Sequence, residues 1–393
     1  MKFVKLLLGS LDGESRDKRE ISTALKLNYE VDIICSGNNK SNAELERCHV
    51  HVVPLPQFAR YKNRVKRHVK MVYHYLRLVA ITRKCGADVI SCHDIIALGI
   101  GYVSTLFQPK KKRPQLVYDS HEFELGRNKR RNKFERWKVK NLERFLIKRC
   151  AGSIMVNDSI AQEVKKIYNL KIAPQVVRNI ANYWHIDKET CSQTRELLCA
   201  DFEFETDMFM IMYHGAVMEN RGIEQFIDVV SMNESIVGII LGNGDDIYVE
   251  SLRKRVKEAG VNNRIQFLSA VPYEELWKYV GAVDVGIVTI PNACQSYFYA
   301  LPNKLFENVQ AITPIIGSDF PEIKKIVKGY DIGMVCDPEK VQELNKCIEI
   351  MRTDLKRYEQ YKKNVLRAKQ ELCWEKEQQK LEKFYLNLKR KIR

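Results

Sequence analysis

Short apolar runs rich in β-branched residues alternate with longer charged, amphipathic stretches along the 393-residue chain, and this alternation constrains the fold more than any other feature. Strands separated by helix-length segments do not form hairpins, so we expect them to lie parallel in sheets covered by helices. The predicted strands fall into two successive series. The first series occupies residues 2–9, 29–36, 50–55, 87–93, 115–121, 152–157 and 174–179, and the second occupies 208–215, 235–242, 264–269, 283–290, 313–318 and 333–337.

A polar junction near residues 180–205 separates the two series. Two such series predict two Rossmann-like α/β domains, with a ligand in the cleft between them at the carboxyl ends of the strands. Residues 351–393, rich in Lys, Glu, Gln and Leu, are predicted to be helical. The longest apolar runs have strand length and fall short of the roughly 18 residues that a membrane-spanning helix needs.

The first residues, MKFVKLLLGS, resemble a signal peptide, but the apolar run is short, lacks a cleavage site and precedes the charged segment DGESRDKRE. We therefore expect a buried first strand and a cytoplasmic protein. The 11 cysteines are scattered without a Cys-x-x-Cys pair, as expected for reduced cytosolic thiols. Cys48, His49 and His51 stand close together, but their context CHVHVV alternates like a strand, so we expect no metal there.

The net charge of +16 is unevenly distributed: +18 in residues 1–190, −10 in 191–350 and +8 in 351–393. The excess is concentrated in residues 59–78 and 109–149, where basic residues are mixed with aliphatic and aromatic ones. Such segments suit an anionic membrane surface, with nucleic acid as the rival partner and solvated helix faces as the plain alternative. The candidates for a membrane contact are Arg60, Lys62, Arg64, Lys66, Arg67 and Lys70.

Two segments of the second half have the pattern of a strand, a glycine turn and an amphipathic helix: YHGAVMENRGIEQFIDVV at 213–230 and IILGNGDDIYVESLRKRV at 239–256. Glycine after a strand lets the backbone approach a phosphate, and the following helix offers free amide hydrogens. Such turns also serve purely structural needs, so neither segment alone indicates a phosphate site. Asp245 and Asp246 are expected to face solvent or cap the second helix rather than to bind a metal.

The segment YALPNKLFENVQA at 299–311 sets one cation and one anion close together in apolar surroundings. Pro302 has the fixed φ that suits a helix start, so Lys304 and Glu307 are predicted to lie in the first helical turn. Glu307 is compatible with the positive end of the helix dipole, whereas Lys304 is not, which suggests that an anion compensates for its charge. The alternative is an exposed ion pair between the two side chains.

In this order and spacing, these motifs resemble the family-4 glycosyltransferases of the GT-B fold over nearly the whole chain. The other matching segments are SRDKREISTAL…YEVDIICSG (15–37), HDIIALGIGY (93–102), LVYDSHEFE (116–124), NLERFLIKRCAGSIMVNDSIAQEV (141–164), IQFLSAVPYEELWKYVGAVDVGIV (265–288) and PIIGSDFPEIKKIV (314–327). The resemblance implies retaining, metal-independent transfer from a nucleotide-diphosphate sugar, with UDP favoured over GDP and no cofactor. It also implies that the last helix crosses back, so that residues 1–185 plus about 375–393 form the acceptor domain and 186–374 the donor domain.

Carried over position by position, Glu307 would bind the ribose hydroxyls, while Arg221 and Lys304 would neutralise the diphosphate as charge develops on it. Gly215 would let the diphosphate come close, and the backbone around Ser269–Val271 would meet the base. The remaining donor-site candidates are Gly242, Tyr299 and Asn303.

In the first domain, His121 of YDSHE matches the loop histidine that reaches the transferred sugar in the family. A core or helix-capping histidine is the structural alternative. Asp119 and Glu122 beside it are weaker candidates, since one of them could serve only as a cap. Family members usually have two neighbouring glycines after the first strand, whereas this chain has GSLDGES. Gly9 and Gly13 are therefore the candidate contacts of the first loop.

Three positions depart from the family pattern. Tyr299 stands eight positions before Glu307, where many members have a glutamate that contacts the sugar, so the identity of the sugar is left open. Ala216 replaces the familiar arginine after the turn glycine, which leaves two other cations to hold the phosphates. Ile312 replaces a helix-ending glycine, and because it is a poor left-handed residue it implies a different helix end.

Family members that build surface polysaccharides act on lipid-linked acceptors at the cytoplasmic membrane face, which suits the basic first half. Their retaining mechanism is usually interpreted as front-face displacement, in which a donor phosphate oxygen takes the proton of the acceptor. One alternative is a GT-B nucleotide-sugar 2-epimerase, which uses carboxylates around the sugar where this chain has Tyr299. Another is a non-catalytic basic nucleic-acid-binding protein, although the sequence contains no RNA-binding aromatic motif.

Overall fold

The computed structural model describes residues 1–11, 15–37, 45–56, 63–106, 108–127 and 132–392. Three of the candidate residues, Gly13, Arg60 and Lys62, lie outside these ranges. The chain divides into two compact units: residues 1–178 together with 377–393, and residues 179–376.

The first unit is built on one parallel sheet, whose described strands have the order β3-β2-β1-β4-β5-β6-β7. The order reverses between β1 and β4, and loops that follow adjacent strands diverge at such a switch point and leave room for a ligand. The strands are β1 (Lys2–Leu6), β2 (Glu30–Cys35), β3 (His49–Val52), β4 (Val89–His93), β5 (Gln115–Ser120), β6 (Gly152–Met155) and β7 (Gln175–Val176).

Helices connect these strands, and three of them begin at an asparagine whose side chain accepts a hydrogen bond from the first helical turn. The capping residues are Asn63, Asn132 and Asn157, and a cap of this kind stabilises a helix by about 1 kcal/mol. The helices are α1 (Ser15–Lys26), α2 (Arg64–Lys84), α3 (Asp94–Thr105), α4 (Lys133–Ile147) and α5 (Asp158–Tyr168). The last helix, α15 (Trp374–Ile392), belongs to this unit from Glu377 onward.

The second unit repeats the plan with a parallel sheet of order β10-β9-β8-β11-β12-β13. Its strands are β8 (Phe209–His214), β9 (Ile236–Leu241), β10 (Ile265–Leu268), β11 (Val285–Val288), β12 (Ile315–Ser318) and β13 (Gly333–Cys336). The helices of this unit are α6 (Lys188–Phe202), α7 (Ile223–Met232), α8 (Asp246–Glu258), α9 (Leu276–Gly281), α10 (Gln295–Phe298), α11 (Asn303–Gln310), α12 (Pro321–Gly329), α13 (Val341–Thr353) and α14 (Leu355–Ala368).

The predicted fold class is confirmed, because the chain folds into two Rossmann-like α/β units with parallel sheets. Each predicted segment overlaps a strand of the structure, and the observed strands are shorter by one to several residues; β3 also begins at His49, one residue before its predicted start. Asp245 caps α8 by accepting hydrogen bonds from Ile247 and Tyr248, as expected. No helix in the described part of the chain is long and apolar enough to span a membrane.

The prediction of a different helix end at Ile312 is wrong. Ile312 adopts the left-handed conformation with a φ of +64°. The Thr313 amide donates to the Asn308 oxygen at 3.0 Å, and the Ile312 amide donates to the Val309 oxygen at 3.2 Å. These two bonds form a Schellman motif, in which glycine usually occupies the left-handed position. The conformation costs about 1–2 kcal/mol for a residue with a side chain. Packing of the Ile312 side chain on the apolar cluster around α11 offsets this cost.

Candidate functional site

Two glycine turns of the second unit lie against each other at the carboxyl ends of β8 and β9. Gly215 has a φ of +118° and Gly242 a φ of +153°. A Cβ atom on Gly242 would lie 1.9 Å from the Gly215 carbonyl oxygen, and one on Gly244 would lie 2.0 Å from the Val217 oxygen. The two loops can therefore form one surface only because these positions lack side chains.

The loop after β10 joins the same surface. Asn243 Oδ1 accepts a hydrogen bond of 2.9 Å from the amide of Ala270. Ser269 is exposed and Val271 is half-buried on either side of this bond. The structure thus brings Ser269–Val271 next to the Gly242 turn.

Arg221 lies at the entrance to α7, where the left-handed Gly222 begins the helix with a φ of +78°. A Cβ atom on Gly222 would lie 2.5 Å from the Thr289 carbonyl oxygen, so this turn is also closely packed. The Arg221 guanidinium carbon lies 5.1 Å from the centre of the Tyr297 ring. Its Nε is buried and has no hydrogen-bond acceptor among the described residues, so Arg221 retains unused donor capacity.

Lys304 is the second cation of this site and is only 8% exposed. Its Nζ lies 3.8 Å from the centre of the Tyr213 ring and has no hydrogen-bond acceptor among the residues that the structure describes. Burial, reinforced by the charge of Arg221 and opposed by Glu307, lowers the pKa of the Lys304 ammonium to about 7. Because an unpaired buried cation is costly, an anion bound here would be stabilised.

Glu307 is the anionic group of the site. Its Oε2 lies 3.0 Å from His214 Nε2, at the carboxyl end of β8. Lys304 and Glu307 form no ion pair in the described part of the structure, so the alternative of an exposed pair does not hold. Pro302 precedes α11 as its N-cap, and Glu307 is the fifth residue of the helix, so Glu307 lies at the start of the second turn and not in the first turn as predicted.

Asn303 and Tyr299 flank the amino end of α11. Asn303 is exposed as the first residue of the helix. Tyr299 is half-buried as the C-cap of α10, and its ring centre lies 5.4 Å from that of Phe298.

The second unit therefore combines a carboxylate and closely packed glycine turns with two cations whose buried nitrogen atoms have no acceptor among the described residues. Cations of this kind form strong charge-assisted hydrogen bonds to phosphate, and a carboxylate can accept from two hydroxyl groups. The arrangement suits a ligand that carries both phosphates and neighbouring hydroxyls.

In the first unit, two histidine rings meet at the carboxyl ends of β4 and β5. The ring centres of His93 and His121 are 3.7 Å apart. His93 Nδ1 lies 2.7 Å from Asp17 Oδ2, and His121 Nε2 lies 3.3 Å from Asp119 Oδ2. Burial opposes the charged form of His93, but the bond to Asp17 prevails and raises its pKa. Both rings are 15–16% exposed, so they can still meet a ligand.

Asp119 and Glu122, the two carboxylates predicted beside His121, have different surroundings. Asp119 is 1% exposed and pairs with the Arg16 guanidinium at 2.6 Å, so its described contacts are with residues of the first unit. Burial opposes ionisation of Asp119, yet the Arg16 charge keeps its pKa well below the usual range. Glu122 is more than half exposed and pairs with Arg127 at 3.1 Å.

Gly9 lies where the first-loop prediction places it, at the carboxyl end of β1. It lines a cavity of about 200 Å³ together with His93, Asp94 and Arg127. Asp94 begins α3 with a φ of +63°, accepts from the His121 amide at 3.2 Å and pairs with Arg127 at 2.7 Å. His93 therefore lines a small cavity that has both charged and aliphatic side chains in its wall.

Family models match both halves of the chain. The model described as "Glycosyltransferase Family 4" matches residues 19–182, and the model described as "Glycosyl transferases group 1" matches residues 195–367. Together they cover more than four fifths of the chain. The chain therefore belongs to the family-4 glycosyltransferases of the GT-B fold. The sequence matches no curated protein.

Solved structures with the same fold cover nearly the whole chain. HepE of Anabaena in complex with UDP and glucose has a TM-score of 0.76 at 16% identity, covering 98% of this chain and 100% of that one. Sucrose-phosphate synthase of Thermosynechococcus elongatus has a TM-score of 0.77 at 16% identity, covering 99% of each chain. WaaG, a glycosyltransferase involved in lipopolysaccharide biosynthesis, has a TM-score of 0.70 at 14% identity and covers 97% of this chain and 99% of its own. At these identities the similarity shows the fold.

The sequence analysis missed His214 and His93, the partners of Glu307 and of Asp17. Each is the last residue of its strand, in YHGAV and SCHDI. A usable signal was present, because the carboxyl ends of parallel strands are where ligands bind in such sheets.

Replacement of Gly242 by alanine is expected to lower the free energy of unfolding by about 2–4 kcal/mol, because the new Cβ meets a backbone oxygen and the φ is unfavourable. Denaturant unfolding of the full-length protein measures the change. Gly329→Ala is the matched control, because a Cβ there has nothing within 4 Å. Equal stability of the two variants would contradict the close packing of the two turns.

Proposed function

We propose that the protein is a retaining glycosyltransferase that moves a sugar from a nucleotide-diphosphate sugar, UDP favoured, to a lipid-linked or saccharide acceptor in cell-surface polysaccharide assembly. The observation that carries the proposal is the pair of cations Lys304 and Arg221 beside the glycine turns: Lys304 Nζ and Arg221 Nε are buried and have no acceptor among the described residues. The UDP and UDP-glucose complexes of HepE, which has the same fold, support the choice of donor.

The proposed chemistry follows from the charges of the second unit. As the bond between the sugar and the diphosphate breaks, negative charge grows on the leaving phosphate. Arg221 and Lys304 stabilise this charge in a buried site, which is often the largest single catalytic contribution. In front-face displacement the acceptor hydroxyl gives its proton to a donor phosphate oxygen, so the transfer proceeds without a metal ion or cofactor. We assign Glu307, oriented by His214, to the ribose hydroxyls.

We assign the first unit to the acceptor and the transferred sugar. His121 is the group that contacts the sugar, and Asp119 and Asp17 hold the two histidine rings in place. Carboxylates that accept from an imidazole fix its orientation and the position of its proton. The 2-epimerase alternative requires carboxylates around the sugar, whereas Tyr299 stands at the sugar-side position of this chain.

Glu307→Ala is expected to weaken UDP-glucose binding by about 10–100-fold, because charge-assisted hydrogen bonds are worth about 1.5–3 kcal/mol. Titration calorimetry measures the dissociation constant, after a thermal-shift panel of UDP- and GDP-sugars has identified the preferred donor. Glu258→Ala, at an exposed position on α8, is the control. If no nucleotide sugar binds, or if both variants bind equally well, the donor site is refuted.

The affinity for UDP-glucose is expected to fall as the pH rises from about 6.5 to 9, by up to about tenfold per unit. Lys304 in the free protein has a pKa of about 7, so above that pH its neutral amine must take up a proton when the ligand binds, and the pKa is raised in the complex. UDP-glucose is the right probe because its diphosphate diester does not titrate in this range. Lys304→Met should bind UDP-glucose weakly, with an affinity that does not change with pH. If the affinity of the wild type does not change with pH either, Lys304 does not contact the phosphates.

We further propose that the first unit docks on the anionic inner face of the plasma membrane through α2 and α4. The face of α2 opposite its buried residues carries exposed aliphatic and aromatic side chains at helical spacing: Val65, Val69, Val72, Tyr73 and Leu76. The predicted contacts Arg64, Lys66, Arg67 and Lys70 are exposed around this stripe. On α4, Phe134 and Trp137 stack and are about 60% exposed. An aliphatic stripe beside cations favours lipid over nucleic acid.

Reversal of three charges, Arg64→Glu with Lys66→Glu and Arg67→Glu, is expected to weaken binding to vesicles of anionic phospholipid at least about tenfold, because each cation contributes about 1 kcal/mol. Vesicle flotation at low and high salt measures the change. Lys254→Glu, exposed on α8 of the second unit, is the control. If vesicle binding changes neither with salt concentration nor with the triple charge reversal, α2 is not the membrane contact. Salt-sensitive binding to RNA, without binding to vesicles, would support the nucleic-acid alternative.

A further inference from the structure

Three side chains from different elements converge near the edge strand of the first unit: Asp32 of β2, His51 of β3 and Cys85, which follows α2. His51 Nε2 lies 2.8 Å from Asp32 Oδ1 and 3.8 Å from the Cys85 sulfur. A carboxylate oxygen, an imidazole nitrogen and a sulfur atom thus lie within 4.8 Å of one another. None of the three residues has a part in the proposed sugar transfer.

The arrangement is not that of a catalytic triad. Asp32 and Cys85 face the same ring nitrogen of His51, whereas a proton relay needs the acid on one nitrogen and the nucleophile on the other. The Cys85 thiol donates its hydrogen bond to the Ile81 carbonyl oxygen at 3.3 Å and not to the imidazole of His51. The three groups therefore surround a common point and do not form a chain.

One oxygen in this cluster has no hydrogen-bond donor in the part of the chain that the structure describes. Asp32 is 5% exposed, yet its Oδ2 has no hydrogen-bond partner among the described residues. The ammonium of Lys2, on the adjacent strand, is held by Glu30 at 3.0 Å. A buried carboxylate oxygen without a partner requires an explanation, and a cation bound at the cluster supplies one.

The distances allow a metal ion with little rearrangement. Around a tetrahedral zinc ion, a nitrogen and an oxygen ligand are about 3.4 Å apart, and a nitrogen and a sulfur ligand about 3.6 Å. The observed separations are 2.8 Å and 3.8 Å, so the nitrogen–oxygen contact must widen by about 0.6 Å and the nitrogen–sulfur contact must shorten by about 0.2 Å. The His51 side chain is 39% exposed and leaves a path for the ion and for a water molecule.

We propose that Asp32, His51 and Cys85 bind a divalent transition-metal ion, Zn²⁺ by preference, with water in the fourth position. A thiolate, an imidazole and a carboxylate suit zinc, whereas Mg²⁺ and Ca²⁺ require oxygen ligands alone. The sequence motif CHVHVV does contribute His51, but with ligands from β2 and from the end of α2 in place of the neighbouring Cys48 and His49.

The site is structural and separate from sugar transfer. Cys85 stands between the end of α2 and the start of β4, at the amino-terminal edge of the sheet, whereas the histidine pair follows strands at the carboxyl edge. A bound ion would join the end of α2 to the edge strand β3 and to its neighbour β2. The inference therefore does not rest on the proposed function and agrees with a metal-independent transfer.

The test uses full-length, untagged protein that has been stripped with a chelator and titrated with Co²⁺ as a spectroscopic substitute for zinc. The expected result is a thiolate-to-cobalt charge-transfer band that saturates at one Co²⁺ ion per chain. Added Zn²⁺ should abolish the band by displacing the cobalt. Zn²⁺ at 100 times its dissociation constant should also raise the unfolding midpoint by about 5 °C.

Cys85→Ser should remove the charge-transfer band, and His51→Ala should weaken Zn²⁺ binding by more than about 100-fold, beyond the usual effect of outer-shell partners. Cys48→Ser and His68→Ala, a nearby thiol and an exposed imidazole of α2, are the matched controls and should bind as the wild type does. Because His51 lies partly at the surface, its variant should remain folded, which circular dichroism verifies. Absence of the band in the wild type, or its retention in Cys85→Ser, would overturn the proposal.

Discussion

The buried ammonium of Lys5 is the charge on which the arrangement of the first unit depends. Its Nζ lies 2.8 Å from Asp17 Oδ1 and 3.6 Å from Asp119 Oδ2, and it also bonds to Glu20. Glu20 in turn accepts from the hydroxyl of Tyr385 in the last helix. Loss of one partner of a buried ion pair costs about 3–5 kcal/mol. The network therefore joins β1, α1, β5 and the last helix, which explains why the end of the chain belongs to the first unit.

The two units use buried charge in opposite ways. In the first unit the carboxylates that neutralise Lys5 also accept from His93 and His121, so the histidine rings are held by a network whose main charges are paired. In the second unit the cations Lys304 and Arg221 lack hydrogen-bond acceptors in the described structure. A paired network provides rigidity, whereas an unpaired cation provides binding energy to an incoming anion. This contrast supports the assignment of the diphosphate to the second unit.

The parallel sheets and the glycine turns could be predicted from the sequence, because period, strand length and turn residues are local properties. The partners of the site residues could not. His214 meets Glu307, and His51 meets residues far from CHVHVV, only after strand register and helix packing have been set. The end of α11 was mispredicted for a related reason: local propensity argues against a left-handed Ile312, but packing of its side chain outweighs that preference.

The distribution of net charge gives the two ligands different physical requirements. Residues 1–190 carry a net +18. Because Lys5 and Arg16 are paired in the interior of the first unit, the excess charge lies on the surface, where it would attract the proposed anionic membrane over about a Debye length. Residues 191–350 carry a net −10, so long-range forces oppose a nucleotide diphosphate there. Its binding must rely on short-range contacts in a site of low dielectric, which salt screens little. Lys304 meets this requirement because burial hides its charge from solvent while Arg221 adds a second cation beside it. Membrane docking should therefore weaken with salt, whereas donor binding should not.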